Sequence, residues 1–285
     1  MALDYNRIMA LPPREFRRSY TAVDTITYAL GLGVGADFRD LRYVYEDGLV
    51  ALPTQAVVAS YVGPWQRDPA YGFDWRRIMH GEQSTVFHGP LPVAADVRTV
   101  LRIDGLYDKG ADKGAVLETT RDLYLEADGR HLASVRQTSF LRGDGGFGGP
   151  RDSGRALDAL RDGPPDLSLV FQTRPEQALI YRLSGDLNPI HVDAVAAHAA
   201  GFDRPILHGL CTYGIAGRVL LRALCDDRPE RLRRLDVRFF KPVYPGETLR
   251  FDVWKTGVAR VQFTAVAIER GVEVLRQGRA DFDPG

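Results

Sequence analysis

Cysteine is scarce in this sequence, net charge is absent, and long apolar runs do not occur. Cys211 and Cys225 are the two cysteines among 285 residues, and their spacing matches no metal-ligand pair, so we expect no disulfide framework. The 37 basic and 37 acidic residues balance, whereas a nucleic-acid-binding protein usually carries a basic excess. No apolar run reaches the roughly 18 residues that span a bilayer. We therefore expect a protein that binds neither nucleic acid nor a membrane.

Several targeting signals and cofactor-binding motifs are also missing. The N-terminal "MALDYNRIMALPPREFRR" has no long apolar stretch, and the final "FDPG" is not a peroxisomal signal, so we expect a cytoplasmic location. "GLGVGAD" reads G-x-G-x-G and follows a predicted helix, unlike the G-x-G-x-x-G loop that binds dinucleotides. The sequence therefore predicts neither a nucleotide cofactor nor a metal ion. Four histidines lie outside any familiar metal-ligand spacing: His80, His88, His131 and His198.

The length indicates roughly two domains. A segment rich in Gly, Asp and Pro, "LRGDGGFGGPRDSGRALDALRDGPPD", has little apolar periodicity and indicates a linker. We predict a first half over residues 1–145, a linker over 146–166 and a second half over 167–285. The halves also look alike, which suggests duplication of one unit. Three residue pairs repeat at a spacing of 153 positions: Tyr28 with Tyr181, Phe87 with Phe240, and Pro92 with Pro245.

Each half begins with the signals of a capped helix. Thr21 with Asp24, and Thr173 with Glu176, have the spacing of a capping box. In the second half, the helix that starts near residue 174 should end at Ser184–Gly185, because glycine suits a helix C-terminus.

A second, more apolar helix is predicted over Ile206–Leu224, where the sequence is apolar on nearly all sides and so should be buried. Each of its glycines, Gly209, Gly214 and Gly217, costs about 1 kcal/mol relative to alanine. That placement makes sense if the backbone must approach a sheet or a ligand closely. Alternating stretches such as "LRFDVW" and "RVQFTAV" then predict antiparallel strands, giving an α+β fold with a sheet wrapped around the helix.

The stretch "GDLNPIH" places an acid, an amide and an imidazole on one stiff corner. Asp186 and His191 bracket Pro189, which fixes the turn, and Asn188 lies between them. A neutral imidazole can accept and return a proton near neutral pH, and a carboxylate beside it can orient the same water molecule. The residues alone equally allow a turn-forming Asp186, a capping Asn188 and an exposed His191.

A second set of candidate residues lies in "PILHGLCT". His208 and Gly209 come at the start of the buried helix, where free N–H groups favour negative charge. The Gly209 N–H is therefore a candidate donor to a carbonyl oxygen that becomes an enolate. Close packing alone would also explain Gly209, and a buried structural histidine would also explain His208.

These motifs carry a family resemblance. "ALIYRLSGDLNPIHVD", "GFDRPILHGLCTYGIAGR" and "FFKPVYPGETL" resemble the hydratase 2 family, the (R)-specific enoyl-CoA hydratases of the MaoC-like group, which includes the hydratase part of multifunctional enzyme type 2. The first half resembles that family through "YALGLG", "HGEQ", "PLP" and "GGFGG".

The resemblance implies a double hot-dog fold, in which two antiparallel sheets each wrap around a long central helix. It implies reversible syn hydration of a trans-2-enoyl-CoA to a (3R)-3-hydroxyacyl-CoA in fatty acid β-oxidation, on medium-to-long or bulky acyl chains. The CoA would belong to the substrate, no cofactor would be required, and the protein would be a homodimer. Asp186 and His191 would form the catalytic pair, with Asn188 beside them. Gly209, with His208, would bind the thioester oxygen.

The repeat implies that the first half has lost this pair. Gly33 and Phe38 stand 153 positions before Asp186 and His191. We therefore expect the first half to bind the acyl chain without performing chemistry.

Two other functions remain open. A hot-dog thioesterase usually carries a carboxylate on or near its central helix, and the helix over Ile206–Leu224 contains no acid. A non-catalytic acyl-CoA-binding subunit would suit the first half, but the second half retains both Asp186 and His191.

Overall fold

The computed structural model describes residues 3–152 and 158–284, so part of the predicted linker, residues 153–157, lies outside the described residues. Within these ranges the chain forms six α-helices and ten strands. The helices are α1 (Tyr5–Met9), α2 (Ala22–Gly31), α3 (Ala56–Ala59), α4 (Gln177–Tyr181), α5 (Ala194–Ala199) and α6 (Gly209–Leu224). In the described ranges, no helix has both the length and the apolar character needed to cross a membrane.

The strands divide evenly between the two halves. Those of the first half are β1 (Arg14–Tyr20), β2 (Ile78–Phe87), β3 (Ala95–Asp108), β4 (Ala115–Leu125) and β5 (His131–Leu141). Those of the second half are β6 (Leu167–Gln172), β7 (Leu232–Phe239), β8 (Thr248–Gly257), β9 (Arg260–Ala267) and β10 (Val272–Phe282).

All ten strands form one antiparallel sheet in the order β1-β3-β4-β5-β2-β7-β10-β9-β8-β6. Each half repeats the same strand order, and the halves meet where β2 pairs with β7. At that seam Gln83 pairs with Val237, which is the repeat counterpart of Ser84. Ser84 in turn pairs with Asp236, which is the repeat counterpart of Gln83. This register is that of a pseudo-twofold axis between the halves. The α+β double hot-dog fold is therefore confirmed, with its two sheets joined into a single one.

Helices α2 and α4 cross near this pseudo-axis. Tyr28 and Tyr181, which are repeat counterparts, lie side by side with ring centroids 6.0 Å apart. A Cβ atom on Gly31 would come within 2.9 Å of the Tyr181 Cα, so the crossing requires glycine there. The predicted internal repeat thus appears as direct contact between equivalent residues.

The two central helices differ in length, which the prediction of two long helices did not anticipate. The second half has the 16-residue α6, which begins at Gly209 rather than at the predicted Ile206. In the first half a 3₁₀ turn over Pro53–Gln55 leads into α3, which has only four residues. Pro53 starts this short helix, and the nearby Gly63–Pro64 pair, with Gly63 at a φ of 75°, does not allow it to continue.

The glycines of α6 do mark a close approach, as predicted, although the nearest atoms belong largely to the first half. A Cβ on Gly214 would lie 2.6 Å from the Leu32 side chain, and one on Gly217 would lie 2.5 Å from Thr54. The central helix of the second half therefore packs directly against first-half residues.

Ionic contacts tie α6 to the first half as well. The buried Arg218 guanidinium pairs with Asp40 of the first half and with Asp227 beyond the end of α6. Arg222, one turn later, pairs with Asp37 of the first half. Because Arg218 and Asp40 are both buried, this cluster fixes how the two halves sit together.

One of the two predicted capping boxes is present. Thr21 and Asp24 form a reciprocal box at the start of α2. The prediction for Thr173 and Glu176 is wrong, because the Thr173 hydroxyl instead donates to the Glu247 carbonyl oxygen at 2.6 Å. Thr173 directly follows β6, so the sheet edge rather than a helix supplies its partner.

Candidate active site

The "GDLNPIH" segment forms a stiff loop at the end of α4. Helix α4 continues as a 3₁₀ turn over Arg182–Ser184 and stops at Gly185, whose φ of 123° strongly favours glycine. The Asp186 carboxylate then accepts the Asn188 N–H at 3.1 Å, and the Asn188 side-chain oxygen accepts the Ile190 N–H at 3.3 Å. The turn bonds that the sequence allowed are therefore formed, and Asn188 itself is exposed.

His191 is not the exposed residue that the turn-only interpretation required. Its side chain is 7% exposed, and its Nδ1–H donates to the Ile206 carbonyl oxygen at 2.8 Å. Because a carbonyl can only accept, this bond places the proton on Nδ1 and leaves a lone pair on Nε2. That Nε2 atom lies 3.8 Å from Oδ2 of Asp186, whose side chain is half exposed.

His208 completes the group from the other side. Its Nε2–H donates to the backbone carbonyl of Asp186 at 3.1 Å, and its ring stacks on His191 with centroids 3.6 Å apart. Its Nδ1 is buried and has no hydrogen-bond partner in the part of the chain that the structure describes. His208 therefore holds the loop backbone and packs the ring of His191 in place.

Burial keeps both imidazoles neutral. It lowers the pKa of His191, although the bond to Ile206 and the nearby Asp186 charge oppose the shift. Burial, together with His191, lowers the pKa of His208 to about 4. At neutral pH His191 is thus a base with an available lone pair rather than an imidazolium.

Gly209 stands at the first position of α6. Its N–H has no partner within the helix, as for any residue of a first turn, and the residue is exposed. A Cβ there would lie 3.3 Å from the ring of Phe239, which itself meets the His80 ring edge-on at 4.9 Å between centroids. Helix α6 is long enough for its dipole to favour developing negative charge at this N–H.

Asp186, His191 and His208 each offer a ligand atom within 4.8 Å of the others, which raises the question of a metal site. The lone pair of an imidazole nitrogen lies in the plane of its ring. The two histidine planes are stacked and only 24° apart, so they do not meet at an ion about 2.1 Å from both nitrogens. The geometry favours proton transfer over metal binding.

Sequence reasoning missed three residues beside this group. Tyr181 lies with its ring centroid 5.0 Å from that of His208, and its buried hydroxyl lacks a partner among the described residues. From the first half, Tyr61 lies against the loop, 3.7 Å from where a Gly185 Cβ would be. Arg121 is a buried arginine whose charge affects both Tyr61 and His80. A signal for it existed, because strand alternation places Arg121 on the same face as the buried Leu123.

The first-half counterparts of Asp186 and His191 lie elsewhere. Gly33 packs against Phe171 and Gln177 of the second half, and Phe38 is 81% exposed. Neither residue brings a titratable group to the site, so the acid and the imidazole at this position come from the second half alone. The binding role of the first half stays a prediction.

Comparisons with known proteins show similarity across both halves of the chain. Residues 18–143 match the MFE-2 hydratase 2 N-terminal domain, and residues 158–277 match the MaoC like domain. The chain is 38% identical to 3-hydroxyacyl-thioester dehydratase Y of Mycobacterium tuberculosis, over 100% of both chains. It is 38% identical to the Mus musculus peroxisomal multifunctional enzyme type 2, covering 95% of this chain but only 37% of the mouse protein.

Among solved structures, a MaoC-like dehydratase from Phytophthora capsici superposes with a TM-score of 0.88 at 32% identity, covering 98% of this chain and 99% of the other. Matches of this extent, across both halves, show descent from a common double unit. The chain belongs to the hydratase 2 branch of the MaoC-like dehydratase family.

Proposed function

We infer that this protein is a hydro-lyase that adds water reversibly to a trans-2-enoyl-CoA, giving a (3R)-3-hydroxyacyl-CoA. The observation that carries the inference is the His191 imidazole, which is buried and neutral, with a free Nε2 3.8 Å from the Asp186 carboxylate. Related proteins are named enoyl-CoA hydratase and 3-hydroxyacyl-thioester dehydratase, which supports the same reaction class.

The residues divide the reaction between them. A water molecule held between Asp186 and His191 Nε2 loses a proton to His191 as its oxygen bonds to C3 of the acyl group. The double-bond electrons move toward the thioester oxygen, which accepts the Gly209 N–H at the start of α6. His191 passes this proton to the Asp186 carboxylate, which delivers it to C2 on the same face, so that both groups return to their starting states. Asn188 stiffens the loop and orients the substrate without exchanging a proton.

The same arrangement argues against a thioesterase. Helix α6 over Gly209–Leu224 carries no acid, so a hot-dog thioesterase would lack its usual carboxylate there. A silent binding subunit does not require a neutral, buried histidine beside a carboxylate. Specificity for the R product, a cytoplasmic location, a homodimer and independence from cofactors are further parts of this proposal.

The test is incubation with a trans-2-enoyl-CoA. Loss of the conjugated enoyl absorbance, with no free thiol released and with an R-configured product, is the expected result. Thiol release would indicate a thioesterase, and binding without either change would indicate a silent subunit.

A further inference from the structure

A buried arginine of the first half lies near Tyr61, which borders the candidate active site. Arg121 lies in the middle of β4, paired with Leu101 of β3 and Val135 of β5, and is 5% exposed. No carboxylate lies within ion-pair distance of it in residues 3–152 or 158–284. Burial lowers its pKa to about 10, with only Tyr61 acting in the opposite direction. A buried charge of this kind normally has an anionic partner.

The guanidinium is only partly satisfied by the protein. Its Nη1 donates to the carbonyl oxygens of Val57 and Ser60 at 3.5 Å, the longest distance that still counts as a hydrogen bond. Its Nη2 is buried without a partner, and so is the hydroxyl of Ser60, among the residues described. These contacts with the end of α3 satisfy the hydrogen-bonding capacity of Nη1 but not that of Nη2. Two buried polar groups therefore stay without a partner on residues that contact each other, which is costly unless a ligand satisfies them.

The position of this pair points to the acyl part of the substrate. Tyr61 follows Ser60 in the chain and lies against Gly185, next to Asp186. Beyond the effect of burial, the negative charge of Asp186 raises the pKa of Tyr61, and the positive charge of Arg121 lowers it, so both groups lie near Tyr61. The reacting double bond must lie at Asp186 and His191, with the thioester oxygen at Gly209. Arg121 and Ser60 belong to the first half and adjoin Tyr61, so a substrate that extends from the double bond past Tyr61 would bring the rest of its acyl group toward them.

We propose that Arg121 and Ser60 bind a carboxylate on the acyl group, so that the substrate is a 2-enoyl thioester carrying a second, distal acid. This inference rests on the proposed hydratase function and refines its substrate class. A guanidinium donates in a planar fork that matches the two oxygens of a carboxylate, and the Ser60 hydroxyl can donate a further bond. An apolar chain of the same length leaves these groups desolvated and unpaired.

The test compares trans-2-enoyl-CoA substrates of matched chain length that end in either a methyl or a carboxyl group. Wild-type enzyme should favour the carboxylated series in kcat/KM by about tenfold or more. Arg121→Met, which keeps a similar volume, should reduce the ratio of carboxyl to methyl kcat/KM by about tenfold or more. Ser60→Ala should reduce the ratio less. Arg102→Met, on neighbouring β3 and already paired with Asp104 and Asp122, is the matched control and should leave the ratio unchanged.

A wild-type preference for the methyl-ended series would overturn the proposal. So would an Arg121→Met enzyme that loses activity equally on both series, since that pattern indicates a role in capping α3. Calorimetric binding of a saturated, carboxyl-ended acyl-CoA provides a readout without turnover. If the wild-type protein binds this ligand without hydrating any enoyl-CoA, and Arg121→Met loses the binding, the reaction assigned above is wrong while the carboxylate site stands. Arg121→Lys keeps the positive charge and should retain part of the ratio of carboxyl to methyl kcat/KM. It provides the test if Arg121→Met does not fold.

Discussion

The imidazole rings of His191 and His208 stack with centroids 3.6 Å apart, and each ring uses one nitrogen to bond a backbone carbonyl. His191 is tied to Ile206, and His208 is tied to Asp186. Two imidazolium charges in such contact would repel each other in a buried setting, so protonation of either ring disfavours protonation of the other. The stack thus keeps Nε2 of His191 available as a base.

Removing either member of the catalytic pair should abolish most turnover. General acid–base groups contribute roughly 10²–10⁴-fold, so Asp186→Asn and His191→Ala should each lose about that much in kcat, with KM changed far less. The double variant should lose little more than either single one, because the two groups act as a unit. Asn188→Ala should be milder, because Asn188 transfers no proton. The measurement is kcat on a trans-2-enoyl-CoA, with folding checked by circular dichroism.

The matched control for these variants is His198→Ala. His198 lies exposed on α5, where its Nε2 hydrogen-bonds the nearby Asp203 carbonyl oxygen, and its loss should leave kcat unchanged. A folded His191→Ala enzyme with near wild-type kcat would falsify the assignment of His191 as base.

Folding stability should fall in mild acid because of His208. Its pKa is about 4 in the folded protein, against about 6.5 in an unfolded chain. Between these values the unfolded state binds more protons than the native state, so the free energy of unfolding rises with pH across the window. The histidine contributes up to about 1.4 kcal/mol per pH unit, and its contribution is complete above pH 6.5.

Urea titrations at several pH values between 4 and 7 measure this slope. The variant His208→Gln, which can still donate to the Asp186 carbonyl, should show a shallower slope than wild type over that window. An identical slope in the two proteins would mean that His208 does not stay neutral in the folded state.

Hydration activity should not depend on a metal ion. Although Asp186, His191 and His208 lie close together, the stacked rings direct their lone pairs along nearly parallel planes. Prolonged dialysis against a chelator should therefore leave the hydration rate unchanged. A large loss that a divalent ion restores would show instead that the rings reorient around a metal.

The ion cluster between the halves should be essential for stability. Arg218→Met removes the cation of Asp227 and leaves Asp40 only the more distant Arg222 at 3.8 Å, and breaking a buried pair in this way costs about 3–5 kcal/mol of unfolding free energy. Arg39→Met is the control, because Arg39 pairs with Asp37 at the surface with its side chain 58% exposed, and exposed pairs contribute less than about 1 kcal/mol. Urea unfolding distinguishes the two, and equal losses would contradict the proposed role of the cluster.

Local sequence patterns determined much of this protein. Glycine, proline and Asx residues impose backbone geometry over a few residues, so the stop at Gly185, the stiff corner at Pro189 and the capping box at Thr21 were all predictable. The repeat spacing of 153 positions identified Tyr28 and Tyr181 as counterparts, and the structure places their rings side by side. The cap, the helix stop and the stiff corner depend on near neighbours in the chain, whereas the double hot-dog fold was implied by the family resemblance.

Other features depended on residues far apart in sequence, and only the tertiary structure decided them. Thr173 carries a capping signal, but the residue just before β8 supplies its partner, the Glu247 carbonyl oxygen. The stacking of His191 on His208 requires a loop and a helix start to meet, and the protonation state follows from the burial that this meeting creates. Arg121 shows the same dependence, since its strand pattern places it inward, but its unpaired guanidinium results from the packing of α3 against β4. Burial and polar satisfaction are properties of the assembled core, and for that reason no local pattern encodes them.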